Sequence, residues 1–237
     1  MKKLFFTLVM ILFVVAGKAQ QQGQTVSSTP ESEWLQTFTS IEIEAPIDIV
    51  FVRVPETQAP KIVYDTKGSY TTKFRYEVKD RVLRITERSD ARRPKRTSVT
   101  LYYNTLRGIS VLDAVVTVQD TISTVLLDLN IGGTAHFTAP LQVKDLKMNL
   151  SGHSKATLSG QVRYMNLVAS TGTIEAADME VMAAYVEAKS SAQLSLNVTE
   201  RLEATTSTKG SILFKGAPDI VRGDVRFMGG NIGQIFE

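Results

Sequence analysis

A short polar turn recurs along this chain at intervals of 19, 19, 19, 19 and 18 residues, beginning at Asp113, Gly132, Ser151, Ser170, Lys189 and Ser207. Before each turn apolar residues alternate with polar ones, as in Leu127/Leu129/Ile131, Leu146/Met148/Leu150 and Met165/Leu167/Ala169. After each turn a second alternation starts, as in Ala135/Phe137, Ala156/Leu158 and Ile174/Ala176. Alternation with period two is the mark of a half-buried strand. A fixed period of this length, with strands on both sides of the turn, predicts an all-β β-solenoid. Each coil, or rung, of about 19 residues then holds two or three short strands, and rungs stack at about 4.8 Å. One rung cannot bury its own apolar face. A stack buries a continuous column and pairs its backbone with the rungs above and below.

The repeat also decides an ambiguous segment. Ala176 to Glu187 is rich in Ala, Met and Glu and has the composition of a helix. It falls inside the repeat, so it is assigned to a strand. Upstream, Ile41, Ile43 and Ala45 alternate, and Ile47, Ile49, Phe51 and Arg53 continue the pattern. "KIVYD", "KFRYEVKD" and "VLRITER" follow as strands, separated by turns such as Lys67-Gly68-Ser69 and Lys79-Asp80. These N-terminal strands are expected to cap the solenoid or to continue it. A seventh copy of the repeat fades at "VRFMGGNIGQI", which leaves the far end less protected.

The chain begins MKKLFFTLVMILFVVAGKAQ, with Lys2 and Lys3 ahead of an apolar run from Leu4 to Val15 and small residues after it. The run is shorter than the roughly 20 residues that span a membrane. It matches a secretory signal peptide cleaved after Ala19. Residues 1–19 are therefore expected to be a signal peptide, 20–36 a flexible linker and 37–237 one domain. No transmembrane segment is expected after cleavage, and the mature protein is expected in the periplasm, at the outer membrane surface or outside the cell. The chain has 27 Lys and Arg against 24 Asp and Glu. Lys2, Lys3 and Lys18 belong to the signal, so the mature chain carries 24 of each sign. A balanced chain gives no electrostatic reason to bind nucleic acid. The absence of cysteine leaves stability to the core alone.

Several stretches of sequence carry the resemblance of this chain to a known family. They are the opening "FTSIEIEAPIDIVFVRVPE", the strand-turn-strand "VKDRVLRITE", and the successive Ser/Gly turns that include Ser151-Gly152. The close "GSILFKGAPDI…GGNIGQI" adds to them. From about Phe38 to Ile235 the chain resembles the exported bacterial family called putative auto-transporter adhesin, head GIN domain. The resemblance implies a β-helix-like fold, an envelope or surface location and, more weakly, adhesion. It brings no catalytic residues. Thr171, Ser190 and Thr208 stand where the family often has Gly.

Candidate chemistry is sparse. Gly152-His153-Ser154-Lys155-Ala156 comes within one residue of the G-x-S-x-G nucleophile elbow. That elbow needs a strand, a strained turn and a helix, whereas here "KATLSG" continues as a strand. Ser154 is accordingly a turn residue. His136 and His153, the two histidines, stand at different offsets from their turns, so they do not stack into a metal pair. No metal site and no cofactor are implied. β-Helices also carry polysaccharide lyases and hydrolases, which need clustered carboxylates. Asp113, Asp128, Asp145, Glu175, Asp178 and Glu187 are scattered, and Asp178 with Glu180 forms a solvated face. One basic loop is dense. Arg88, Arg92, Arg93, Lys95 and Arg96 surround Asp90 and Pro94 and form a candidate contact for anionic glycans or headgroups. Of Tyr102 and Tyr103, one must face the core. Trp34 is placed to staple the linker to the domain.

The expected function is a non-catalytic exported surface or envelope module that binds a glycan or another protein. The alternatives are a carbohydrate-active enzyme on the same fold, or a scaffold that assembles through its solenoid edges. The oligomeric state stays open.

Overall fold

Inward-facing residues decide how this chain is laid down, because each rung must point its alternate side chains at one shared core. The computed structural model describes residues 29–67, 73–88, 95–227 and 229–235. The expected signal peptide, most of the expected linker, Arg92 and Arg93 lie outside the described residues. Among the described residues there are seventeen strands and no helix. The first nine are β1 (Glu31–Trp34), β2 (Ser40–Glu44), β3 (Asp48–Arg53), β4 (Lys61–Asp65), β5 (Phe74–Lys79), β6 (Val82–Glu87), β7 (Ser98–Tyr103), β8 (Gly108–Leu112) and β9 (Val115–Val118). Five long strands follow: β10 (Ile122–Gly132), β11 (His136–Leu150), β12 (Lys155–Ala169), β13 (Thr173–Ala188) and β14 (Gln193–Ser207). β15 (Ser211–Lys215), β16 (Ile220–Arg226) and β17 (Asn231–Gln234) complete the set. The segment with helical composition is strand β13, as the repeat requires.

The fold is a β-solenoid with parallel, in-register rungs. Leu129 pairs with Met148, Met148 with Leu167, Leu167 with Val186, and Val186 with Ala204. All five are buried. On the opposite side Phe137 pairs with Ala156, Ala156 with Ile174, Ile174 with Leu194, and Leu194 with Ile212, again all buried. Burying such a side chain stabilises by about 1.5–3 kcal/mol. Each rung depends on its neighbours for that gain, which is why the repeat is stable only as a stack.

The N-terminal strands both continue and cap the stack. β2 and β3 form a rung that lies between β6/β7 on one side and β8/β9 on the other, all parallel. The chain thus lays its second rung outside its first and returns to build inward. Antiparallel strands then cover the outer rung. β5 pairs with β6, β4 with β7, and β1 with β4. Strand β1 corrects the linker expected over 20–36, since Glu31–Trp34 are paired residue by residue with Lys61–Tyr64. The Tyr64 hydroxyl donates to Glu31 Oε2 at 2.6 Å and holds the strand in place. Trp34 is not the staple. It is 64% exposed, with Lys61 Nζ 5.3 Å from its ring centroid. Arg53 also departs from expectation. It is exposed at the end of β3, where the chain leaves the core.

The turns adopt left-handed backbone at one residue per rung. Gly133, Gly152 and Gly172 have φ of 63°, 73° and 88°. Gly152 shows why: a Cβ there would lie 2.4 Å from the Gly133 carbonyl oxygen of the rung before. Ser190 and Thr208 take the same conformation at φ 46° and 61° without glycine. Thr171 does not, because Gly172 carries the positive φ in that rung.

Candidate functional site

The two halves of a rung meet at a bend, and the bend creates a surface groove. Within β11, Val143 is buried and the next buried residue is Leu146, a step of three rather than two. The same step separates Val162 from Met165 and Val181 from Ala184. A strand that wraps around a corner must change parity for both halves to face one core. The skipped residues are pushed outward together. Lys144, Arg163 and Met182 therefore line a groove of about 510 Å³ with Thr199, Gln142, Gln161, Glu180 and Glu200. Gln142, Gln161 and Glu180 are register partners on successive rungs. They form a ladder of amide and carboxylate groups spaced by the inter-strand distance of about 4.8 Å. Tyr164 stands exposed beside the groove, with the Arg163 guanidinium 6.0 Å from its ring centroid. The sequence reading missed this groove. Its signal was present as the three-residue step in the apolar alternation.

The elbow-like segment has no nucleophile geometry. Ser154 is buried, and its Oγ donates to the Ser151 carbonyl at 2.7 Å. His153 points to solvent, and its backbone N–H donates to the Gly133 carbonyl at 2.7 Å. His136 pairs with Lys155 in the sheet, so the two histidines are out of register. Among the described residues no three His, Cys, Asp or Glu side chains gather as a metal would require.

The carboxylates are distributed among separate partners. Asp113 accepts from the Thr134 backbone at 2.8 Å and from the Thr134 hydroxyl at 3.1 Å. Glu175 pairs with Lys155 at 2.7 Å, and that ammonium holds its carboxyl below the usual range. Glu187 lies 3.2 Å from Lys189. Asp178 and Glu180 are both exposed, as a solvated face requires, and Asp178 sits where β13 bulges against β12.

Of the basic loop, Arg88, Lys95 and Arg96 are described, and all three are exposed. Arg96 lies 3.5 Å from Asp48. The loop's base is closed by Thr97, whose hydroxyl donates to Glu87 Oε1 at 2.7 Å in a buried setting. Tyr103 is the inward member of its pair and lies edge-on to Phe51 at 6.1 Å, while Tyr102 is half-buried. Burial pushes the Tyr103 phenol up to about 12. The basic loop and the groove occupy different rungs, so they are separate candidate surfaces. Among the described residues no helix is long and apolar enough to cross a membrane.

Solved structures share this architecture. A crystal structure of a putative adhesin from Bacteroides fragilis NCTC 9343 superposes with a TM-score of 0.79 at 22% identity, covering 87% of this chain and 96% of that one. A putative adhesin from Parabacteroides distasonis ATCC 8503 gives 0.68 at 17% identity, over 87% and 96% of the two chains. A putative lipid binding protein from the same strain gives 0.65 at 16% identity, over 89% and 98%. At these identities the likeness concerns the fold. No curated protein matches the chain. The family model described as putative auto-transporter adhesin, head GIN domain, matches residues 37–218, and the chain belongs to that family.

Proposed function

We propose that this chain is an exported, non-catalytic binding module of the cell envelope, and that it binds a glycan along the corner groove. The observation that supports the reading is the ladder of Gln142, Gln161 and Glu180, flanked by Lys144 and Arg163, with Tyr164 exposed next to Arg163. Amides donate and accept, which suits the hydroxyls of a sugar. A repeated set of polar side chains on stacked rungs suits a polymer that is itself repetitive. The exposed Tyr164 ring offers an amphipathic surface for a sugar face. The family description and the adhesin neighbours support an exported or surface location. An acyl chain suits the fold less well, because the core columns fill the interior with side chains.

Glycan-array binding of the mature protein, compared with Gln161→Ala/Arg163→Ala, tests the reading. The expected outcome is binding that the double substitution abolishes. Binding lost instead on neutralising Arg92, Arg93, Lys95 and Arg96 would move the site to the basic loop and its ligand to an anionic one. Release of reducing or unsaturated sugar ends would replace the binding module with a carbohydrate-active enzyme.

A further inference from the structure

A second groove opens on the N-terminal rungs, lined by residues distinct from those of the first. It holds about 530 Å³, within the roughly 300–1,000 Å³ usual for small-molecule sites. A step of three residues shapes it too. Phe38 and Ile41 are successive buried positions, as are Leu106 and Ile109, so Thr39 and Arg107 turn outward between them. The Thr39 N–H donates to the Arg81 carbonyl at 2.9 Å, and the Arg107 N–H donates to the Thr39 carbonyl at 2.8 Å. Arg81 and Arg107 therefore flank Thr39, with their backbones two strand spacings, or roughly 10 Å, apart. Both line the groove. Neither guanidinium has an ion-pair or hydrogen-bond partner among the described residues. On the same strand as Arg81's turn, by contrast, Arg84 is bonded to Glu42 at 2.7 Å.

Arg81 stands where its backbone favours another residue. Asp80 and Arg81 alone join β5 to β6, and their φ angles are 51° and 62°. A two-residue hairpin loop with positive φ at both positions favours Asn-Gly or Asp-Gly. Asp80 fits that preference, but arginine holds the place where glycine would sit without strain. Such an outlier points to a function for its side chain. The loop between β3 and β4 supplies the facing wall, with Glu56 and Gln58. Asn104 Nδ2 fixes this loop by donating to the Pro55 carbonyl at 2.8 Å and the Gln58 carbonyl at 2.9 Å. The Leu35 N–H donates to the Pro60 carbonyl at 2.9 Å and ties down the loop's far end. The wall is thus set before a ligand arrives, which lowers the entropy lost on binding.

The two walls differ in chemistry. One offers two guanidiniums, and the other a carboxylate and an amide. A bare anion uses only the first wall. A sugar phosphate uses both: its tetrahedral oxyanion accepts from guanidiniums on two sides, while its hydroxyls donate to a carboxylate and accept from an amide. We infer that this groove binds a phosphorylated monosaccharide, with Arg81 and Arg107 on the phosphate and Glu56 and Gln58 on the sugar hydroxyls. The site does not depend on what the Gln161 groove binds.

Isothermal titration calorimetry of the mature protein reads the outcome, with glucose 6-phosphate, mannose 6-phosphate, inorganic phosphate and glucose as probes. A hexose phosphate is expected to bind, inorganic phosphate at least about tenfold more weakly and glucose not at all. Arg107→Gln is expected to weaken hexose phosphate binding roughly ten- to hundredfold, the size of a lost charge-assisted bond. Arg81→Gly gives the turn its favoured residue, so binding should fall by a similar factor while the urea midpoint stays at the wild-type value or rises. Arg75→Gln removes the same charge from an exposed position on β5 and should bind as the wild type does. Methyl α-glucoside 6-phosphate separates two sources of the ligand. Binding equal to that of glucose 6-phosphate assigns a phosphorylated residue within a glycan, and lost binding assigns the free sugar phosphate. Absence of binding by both hexose phosphates would overturn the inference. So would inorganic phosphate binding as tightly as they do, binding that survives both Arg81→Gly and Arg107→Gln, or an equal loss in Arg75→Gln.

Discussion

Gly152→Ala and Thr208→Gly are opposite changes at the same turn position, and the structure gives them opposite signs. Both residues follow the turn's first serine and both have positive φ, 73° and 61°. An alanine Cβ at 152 would lie 2.4 Å from the Gly133 carbonyl oxygen and 2.8 Å from the Gly133 nitrogen. The turn must then open, and the His153 N–H bond to that carbonyl at 2.7 Å is lost. Left-handed backbone costs a residue with a Cβ about 1–2 kcal/mol, and a lost hydrogen bond about 0.5–1.5 kcal/mol. Gly152→Ala should therefore destabilise by roughly 2–3 kcal/mol. Thr208 is exposed and β-branched, so its replacement relieves the same strain without losing packing. Set against glycine's greater backbone freedom in the unfolded chain, the net gain is about 0.5–1 kcal/mol. Urea unfolding followed by circular dichroism compares the midpoints, with equal slopes as the check on a common transition. An unchanged midpoint for Gly152→Ala, or a lowered one for Thr208→Gly, would refute the assignment of this position as the rung-to-rung contact.

Three further outcomes are expected. Ser154→Ala removes a buried donor to the Ser151 carbonyl and should cost about 1–2 kcal/mol in the same urea assay, while turnover of an activated ester stays at the background seen with the wild type. Leu167→Ala opens a cavity in the middle of a core column and should cost about 2–5 kcal/mol, a loss that a merely surface-exposed leucine would not show. Stability should also fall at alkaline pH. The folded state favours the neutral phenols of Tyr103, Tyr64 and Tyr76, raised first by burial and, for the latter two, next by bonds to Glu31 and Glu33. For Tyr103 that stabilisation is fully present below the ordinary tyrosine value of 10.0 and is lost as pH rises from there through about 12. The Tyr103 share is about 2–3 kcal/mol. A flat unfolding midpoint between those pH values would contradict it.

The repeat made the solenoid legible because every rung poses the same packing problem and answers it with the same alternation. Leu129, Met148 and Leu167 could be aligned from spacing alone, and the structure pairs them. The N-terminal order was not legible. β2 and β3 lie between β6/β7 and β8/β9 because of long-range pairing, and no local period encodes that choice. β1 was read as linker because Glu31-Ser32-Glu33-Trp34 lacks an apolar face. Its hold comes from β4 and from the Tyr64 hydroxyl, partners more than 25 residues away. The groove was hidden for a related reason. Its residues are ordinary polar side chains, and only the parity slips at Val143, Val162 and Val181 reveal that they face outward together. Gly152-His153-Ser154 gave the opposite lesson, since a catalytic-looking pattern turned out to be the contact that keeps neighbouring rungs in step.

The claim that this surface binds without turning its ligand over can be tested directly. Envelope polysaccharide captured by the immobilised mature protein is eluted and its chain ends are analysed by mass spectrometry. The account predicts polysaccharide retained through Gln161 and Arg163 and recovered with its ends unchanged. Failure to retain any polysaccharide, or recovery of fragments bearing new reducing or unsaturated ends, would contradict it.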